Sequence, residues 1–244
     1  MRPITTRRRL VLARAEADRR FQFGQPGAGT YLIPANNACG ANAVQKVHHI
    51  WTGQRVTMNA VIRAAAWPGP PADFSARGML TSEVLRALAV LLRVQRAGYT
   101  GTTSATASDV VQLARHRGPV IVLYRYGTTP EWEGYRYRGQ QADGVDSVTG
   151  RVVGYAREPG RAGRNQLSGF DDGAHYVVVL SSKWRRRTGG EDVWLHDSNH
   201  ASSARPERPR WDVVSAEQFE RMYRSGADVT FSGDPWAAVP SRAL

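Results

Sequence analysis

The chain of 244 residues has little of several things. It holds one cysteine, Cys39, so an internal disulfide framework and any multi-cysteine zinc site are excluded. No apolar run approaches the roughly 20 residues that span a bilayer. Leu10-Val11-Leu12-Ala13 is too short for a signal-peptide core and is followed by charges, so cytoplasmic synthesis without Sec-type export is expected. Lysine is nearly missing: Lys46 and Lys183 are the only two, and the other 31 of the 33 basic residues are arginines. The net charge of +12 raises the question of a polyanionic partner. The arginines are spread along the chain, however, and the clusters Arg7-Arg8-Arg9, Arg19-Arg20 and Arg185-Arg186-Arg187 lack the interleaved aromatics of a single-strand stacking platform. Specific nucleic-acid binding is therefore not expected; a solvated or polyanion-facing surface is.

What is present reads as one sizeable globular domain with appendages, since 41% hydrophobic content in a chain of this length can bury a full core. Residues 1–30 form a basic arm, with a weakly amphipathic stretch from Thr6 to about Phe21 broken by Gly24, Pro26, Gly27 and Gly29. It is expected either to stay partly disordered or to dock on a larger protein assembly. A domain is expected over 31–232 and a C-terminal tail over 233–244. Residues 39–52, Thr57 to Ala66 and a segment from Thr81 to Gly98 carry helical periodicity. Ser108 is the expected cap of a fourth helix ending at Gly118, followed by the buried strand Pro119–Tyr124. The stretch 127–173 reads as a peripheral hairpin or a substrate-covering loop. Strands are expected at Ala174–Leu180 and Asp192–Asp197, joined by a basic turn from Lys183 to Gly190. A helix capped by Ser215 and a last strand at Asp228–Phe231 complete the reading. Helices first and antiparallel strands later is the order of an α+β domain.

Cys39 draws attention through its context. Asn36-Asn37-Ala38-Cys39-Gly40-Ala41 runs from a polar, proline-led approach into a helix, so the thiol falls in a first turn, where unpaired N–H groups and the helix dipole favour a thiolate. A nucleophilic cysteine needs a base, and the base needs an orienting acceptor. His175 opens an apolar strand, and Asp197 ends the next one, 22 residues later, with Asn199 in reserve. His116 lies at a helix end before Gly118 and suits a dipole partner instead. His48 and His49 lie too far along the helix from Cys39, and adjacent helical positions diverge, which argues against shared metal binding. His196, Asp197 and His200 form a compact cluster, but the two histidines would share a face only on a helix, so no metal site is expected there.

These segments, in this order, resemble a papain-like cysteine peptidase, closest to the bacteriocin-processing type and its stand-alone relatives. The matching stretches are Ala38-Cys39-Gly40-Ala41-Asn42-Ala43, Arg117-Gly118-Pro119-Val120-Ile121-Val122, Gly173-Ala174-His175-Tyr176-Val177, Val193-Trp194-Leu195-His196-Asp197 and Ser215-Ala216-Glu217-Gln218-Phe219. His175 follows Cys39 by 136 residues, within the range of about 130–150 typical of papain-type enzymes. The resemblance implies N-terminal helices packed on an antiparallel sheet, a Cys39–His175–Asp197 triad and no cofactor. It also implies a peptide or peptidoglycan-peptide substrate. Ile33 stands six residues before the cysteine, where the family places an oxyanion-donating glutamine; Asn36 or Asn37 is the expected substitute. Acyl transfer to an amine would use the same triad. The other class of reading is an interaction protein of a phage particle, tail-associated, that keeps a weakened peptidase-like domain.

Overall fold

A computed structural model describes residues 39–65, 78–93, 97–125, 136–137, 140–145, 152–155, 174–185, 189–196, 212–230 and 232–241. The basic arm and the Pro-rich segment after Trp67 lie outside these residues. The described helices are α1 (Cys39–Thr52), α2 (Met58–Ala64), α3 (Thr81–Leu91), α4 (Ala107–Arg117) and α5 (Ala216–Arg224). The strands are β1 (Tyr99–Thr102), β2 (Val120–Arg125), β3 (Arg136–Tyr137), β4 (Gln140–Val145), β5 (Val152–Tyr155), β6 (Ala174–Arg185), β7 (Gly190–His196), β8 (Asp212–Ser215) and β9 (Ala237–Pro240). The α+β class with an antiparallel sheet is as expected. No helix among the described residues is long and apolar enough to cross a membrane.

Six strands form one sheet in the order β1-β9-β2-β6-β7-β8, antiparallel throughout. Period-two alternation divides its side chains between two cores. Ile121, Leu123, Tyr176, Val178, Leu180 and Trp194 point to the face covered by α1, α2 and α3. Val120, Val122, Tyr124, Val177, Val179, Val193 and Leu195 point to the face covered by α4 and α5. β2 and β6 are apolar on both sides because both sides are covered, which is why their sequences read as unbroken hydrophobic runs. Each fully buried valine or isoleucine here adds about 1.5–3 kcal/mol relative to exposure.

Local chemistry sets the helix starts. Thr57 caps α2 by accepting the Ala60 N–H at 3.2 Å. The Glu83 carboxylate accepts the Leu80 N–H at 2.7 Å before α3. At α4 the cap is Thr106 and not Ser108: its Oγ1 accepts the Asp109 N–H at 3.1 Å while the Asp109 carboxylate takes the Thr106 N–H at 2.9 Å. Gly118, at φ 131°, ends that helix. His116 sits in the basic last turn of α4, exposed, as the dipole argument requires.

Three further expectations need correction. Residues 237–240 are not tail: β9 inserts between β1 and β2, because Ala237 and Ala238 are small enough to be buried in mid-sheet with Trp236 beside them. Asp228–Phe231 supplies no strand over its described residues. Ser225–Val229 is a 3₁₀ turn, pinned where the Ser225 hydroxyl accepts the Arg125 N–H at 3.2 Å and donates to the Met222 carbonyl at 2.7 Å. The β6–β7 hairpin is also longer than read. Lys183 and Trp184 are in ladder register with Asp192 and Glu191, so the turn begins only after Arg185. Within 127–173, β3, β4 and β5 form a separate small antiparallel sheet.

Candidate active site

Cys39 is the first residue of α1, and the helix start is held tightly against β6. A side chain on Gly40 would meet the Met79 Cβ at 2.9 Å and the Tyr176 ring at 3.2 Å, so only glycine lets the backbone come this close. Tyr176 is fixed in turn by its hydroxyl, which donates to the Met79 carbonyl at 3.1 Å, and by an edge-to-face contact with Trp236.

This packing brings Cys39 and His175 together. Burial alone would raise the thiol pKa. A hydrogen bond with the His175 side chain and the charge of that ring outweigh burial, with help from the backbone N–H groups of Tyr176 and Gly40, and hold Cys39 below the ordinary thiol value. The imidazole and the two backbone N–H groups, one from the helix start and one from β6, thus act on the sulfur in the same direction. His175 is 3% exposed and lies against Tyr124, its register partner in β2, with ring centroids 5.5 Å apart and planes at 81°. Strand alternation puts His175 on the Tyr124 side, while Cys39 belongs to the core on the other side. They meet even so, with Ala174 and His175 the first two residues of β6. Burial raises the Tyr176 phenol above its ordinary range, and the charges of Cys39 and Glu83 add to this, so it stays a neutral donor beside the sulfur.

The other residues singled out in the sequence divide as follows. Asn36, Asn37, Asp197, Asn199 and His200 lie outside the described residues. His196, buried, is the last residue of β7 and pairs in register with Val178. His48 donates from Nδ1 to the Gln54 carbonyl oxygen at 3.1 Å, more than two turns from Cys39. Burial first, and the charge of His49 after it, lower its pKa. Among the described residues no three His, Cys, Asp or Glu side chains are grouped to hold a metal.

Sequence reasoning passed over two groups that shape the site, Gly40 and the Tyr176 N–H. Gly40 had a visible signal, a glycine inside a helix where alanine would be favoured. It also passed over Asn42, one turn past Cys39: 1% exposed, with neither its Nδ2 nor its Oδ1 in a hydrogen bond. An orphaned buried amide costs about 1–3 kcal/mol, so its retention calls for a reason.

No family model and no curated protein sequence matches the chain.

Proposed function

We propose that this chain is a papain-like cysteine peptidase or amidohydrolase, cleaving an amide bond in a polypeptide or in the peptide stem of a cell wall. The observation that carries the reading is the buried hydrogen bond between Cys39 and His175 at a helix start, with the thiol pKa lowered. In the proposed reaction the Cys39 thiolate adds to the amide carbonyl carbon, and the carbonyl oxygen becomes an oxyanion. The intermediate collapses as the imidazolium of His175 gives its proton to the departing amine, leaving a thioester on Cys39. His175 then takes a proton from water as it adds to the thioester, the acid is released and the thiolate returns. Asp197, next in sequence after His196, is assigned to orient the imidazole, with Asn199 in reserve; Asn36 or Asn37 and the Cys39 N–H are assigned to the oxyanion. No cofactor enters this chemistry. An amine in place of water turns the same steps into acyl transfer. The arginine-rich composition suits an anionic wall polymer as the substrate's carrier.

Iodoacetamide labelling at pH 6 tests the pair. Fast alkylation of Cys39 that collapses in His175→Ala supports it; slow labelling indifferent to His175 overturns it. Incubation with peptide libraries and purified peptidoglycan, read by mass spectrometry, then identifies the bond cut. One observation favours a second reading. Cys39 is only 6% exposed, as in a closed or weakened site. On that reading the chain is an interaction component of a larger assembly, such as a phage particle with the basic arm docked on it, and neither library yields a product.

A further inference from the structure

The first turns of α1 are buried on every side. At about 100° per residue, Ala43, Val44, Val47, Ile50 and Trp51 fall in one arc and Asn42, Gln45, Lys46 and His49 in another, with Cys39 on the border between the two. Asn42 lies within about 60° of Cys39 and one turn behind it. Helical side chains lean towards the N-terminus, so its carboxamide leans over the turn that carries the sulfur. Gln45, in the same arc as Asn42, gives its Nε2 hydrogen to the Val56 carbonyl at 2.7 Å. Asn42 has no such bond at either amide atom. An oxyanion formed at Cys39 needs donors, and two nearby backbone N–H groups, those of Gly40 and Tyr176, are already directed at the sulfur. The position six residues before the cysteine, Ile33, offers an aliphatic side chain.

We propose that the Asn42 carboxamide is a side-chain donor to the oxyanion that forms when Cys39 attacks a carbonyl. The inference rests on the thiol-hydrolase reading and adds a catalytic residue to it. Nδ2 donates a hydrogen bond to the carbonyl oxygen as charge develops there; no proton is transferred. The amide is enclosed in the resting protein and has no hydrogen bond to give up, so no group competes with the oxyanion for it once substrate enters.

Two reagents separate the parts. Iodoacetamide alkylates the sulfur by displacing iodide and forms no oxyanion, whereas p-nitrophenyl acetate acylates it through a tetrahedral intermediate. Asn42→Ala and the near-isosteric Asn42→Leu are compared with the unsubstituted protein by both reagents and by thermal melting. The expected result is unchanged alkylation, an unchanged or raised melting temperature, since an unpartnered amide is replaced by apolar atoms, and acylation slower by about 10²-fold. Acylation at the original rate in either folded variant overturns the role of Asn42 and leaves the Cys39–His175 pair standing. A lowered melting temperature with acylation and alkylation reduced alike assigns Asn42 to packing and also overturns it. Slow, His175-independent alkylation of the unsubstituted protein overturns the hydrolase reading and the Asn42 role together.

Discussion

The two faces of the six-stranded sheet are built on opposite principles. On the face of α4 and α5, valines from β2, β6 and β7 meet Val110, Val111, Phe219 and Met222, and the aromatic rings of Phe219 and Tyr223 stack with centroids 6.1 Å apart. On the face of α1 to α3 the core also contains Asn42, Gln45, Lys46 and Glu83, all buried. Burying polar groups costs free energy that apolar packing does not, and natural domains keep such groups where they do something else. The first face buries fewer polar groups, His175 and Ser182 among them; the second buries more, and of these Asn42 is left without a hydrogen bond beside Cys39. The helix that carries the thiol belongs to the expensive side, and its base is supplied from the cheap one.

The comparison is broken most severely at the junction. His175→Ala removes both the hydrogen bond and the charge that lower the Cys39 pKa, and turnover of any amide substrate should fall by about 10³-fold or more. The alkylation rate of the unsubstituted protein should reach its plateau at a pH below the ordinary thiol pKa of about 8.5. In His175→Ala the inflection should move up. The linkage to stability has a definite sign. The folded-state thiol pKa lies below the unfolded one, so the contribution of Cys39 is fully present above the unfolded value. It declines as pH falls and is lost once pH has passed through the folded value. Cys39→Ser should flatten that part of the stability profile, measured by denaturant titration across the range.

Next in size is a change confined to the face of α4 and α5. Phe219→Ala empties a fully buried site in α5 and should cost about 3–5 kcal/mol in chemical unfolding. Alkylation of Cys39 at temperatures where the variant is folded should keep its rate. If labelling slows in proportion to the lost stability, the two faces are not independent and the division drawn above fails.

Gly40→Ala sharpens the comparison from the other side. Helix propensity alone predicts a gain of about 1 kcal/mol for this change. The new methyl would overlap the Met79 Cβ and press on the Tyr176 ring, and overpacking of that kind costs about 1–3 kcal/mol. The clash should win, because Met79 Cβ lies next to the backbone and cannot swing aside. A modest fall in melting temperature is expected together with slower alkylation, since the Tyr176 N–H and the sulfur are forced apart. A stabilised variant with unaltered labelling would mean that the close approach does not set up the thiolate.

Much of this was legible in the sequence, and the illegible parts have physical reasons. The apolar runs Val120–Tyr124 and Ala174–Leu180 announced strands, and the sequence named Cys39 and His175, which the fold brings into hydrogen-bond contact. β9 was missed because Ala-Ala-Val-Pro has little strand propensity; it is a strand because its backbone pairs with β1 on one side and β2 on the other, with Ala237 and Ala238 buried. The contact between Tyr176 and the site depends on Gly40 approaching from a helix 136 residues earlier, which no local window reveals. The proposal of Asp197 as the orienting acid rests on its sequence position alone.

The smallest effect tests the cheap face at its edge. Thr106 was overlooked in favour of Ser108 because both are good cap residues and only the partner decides between them. Asp109 stands three residues after Thr106, and the two exchange hydrogen bonds that hold the Asp109 carboxyl below its usual range, first through the Thr106 hydroxyl and then through its N–H. Thr106→Ala removes the cap and should cost about 1 kcal/mol, whereas Ser108→Ala, at an exposed position inside α4, should be nearly neutral. Thermal melting of the two variants side by side decides the matter. Equal melting temperatures would mean that α4 starts where the sequence first suggested, and that its docking against β6 and β9, not its cap, defines that end of the helix.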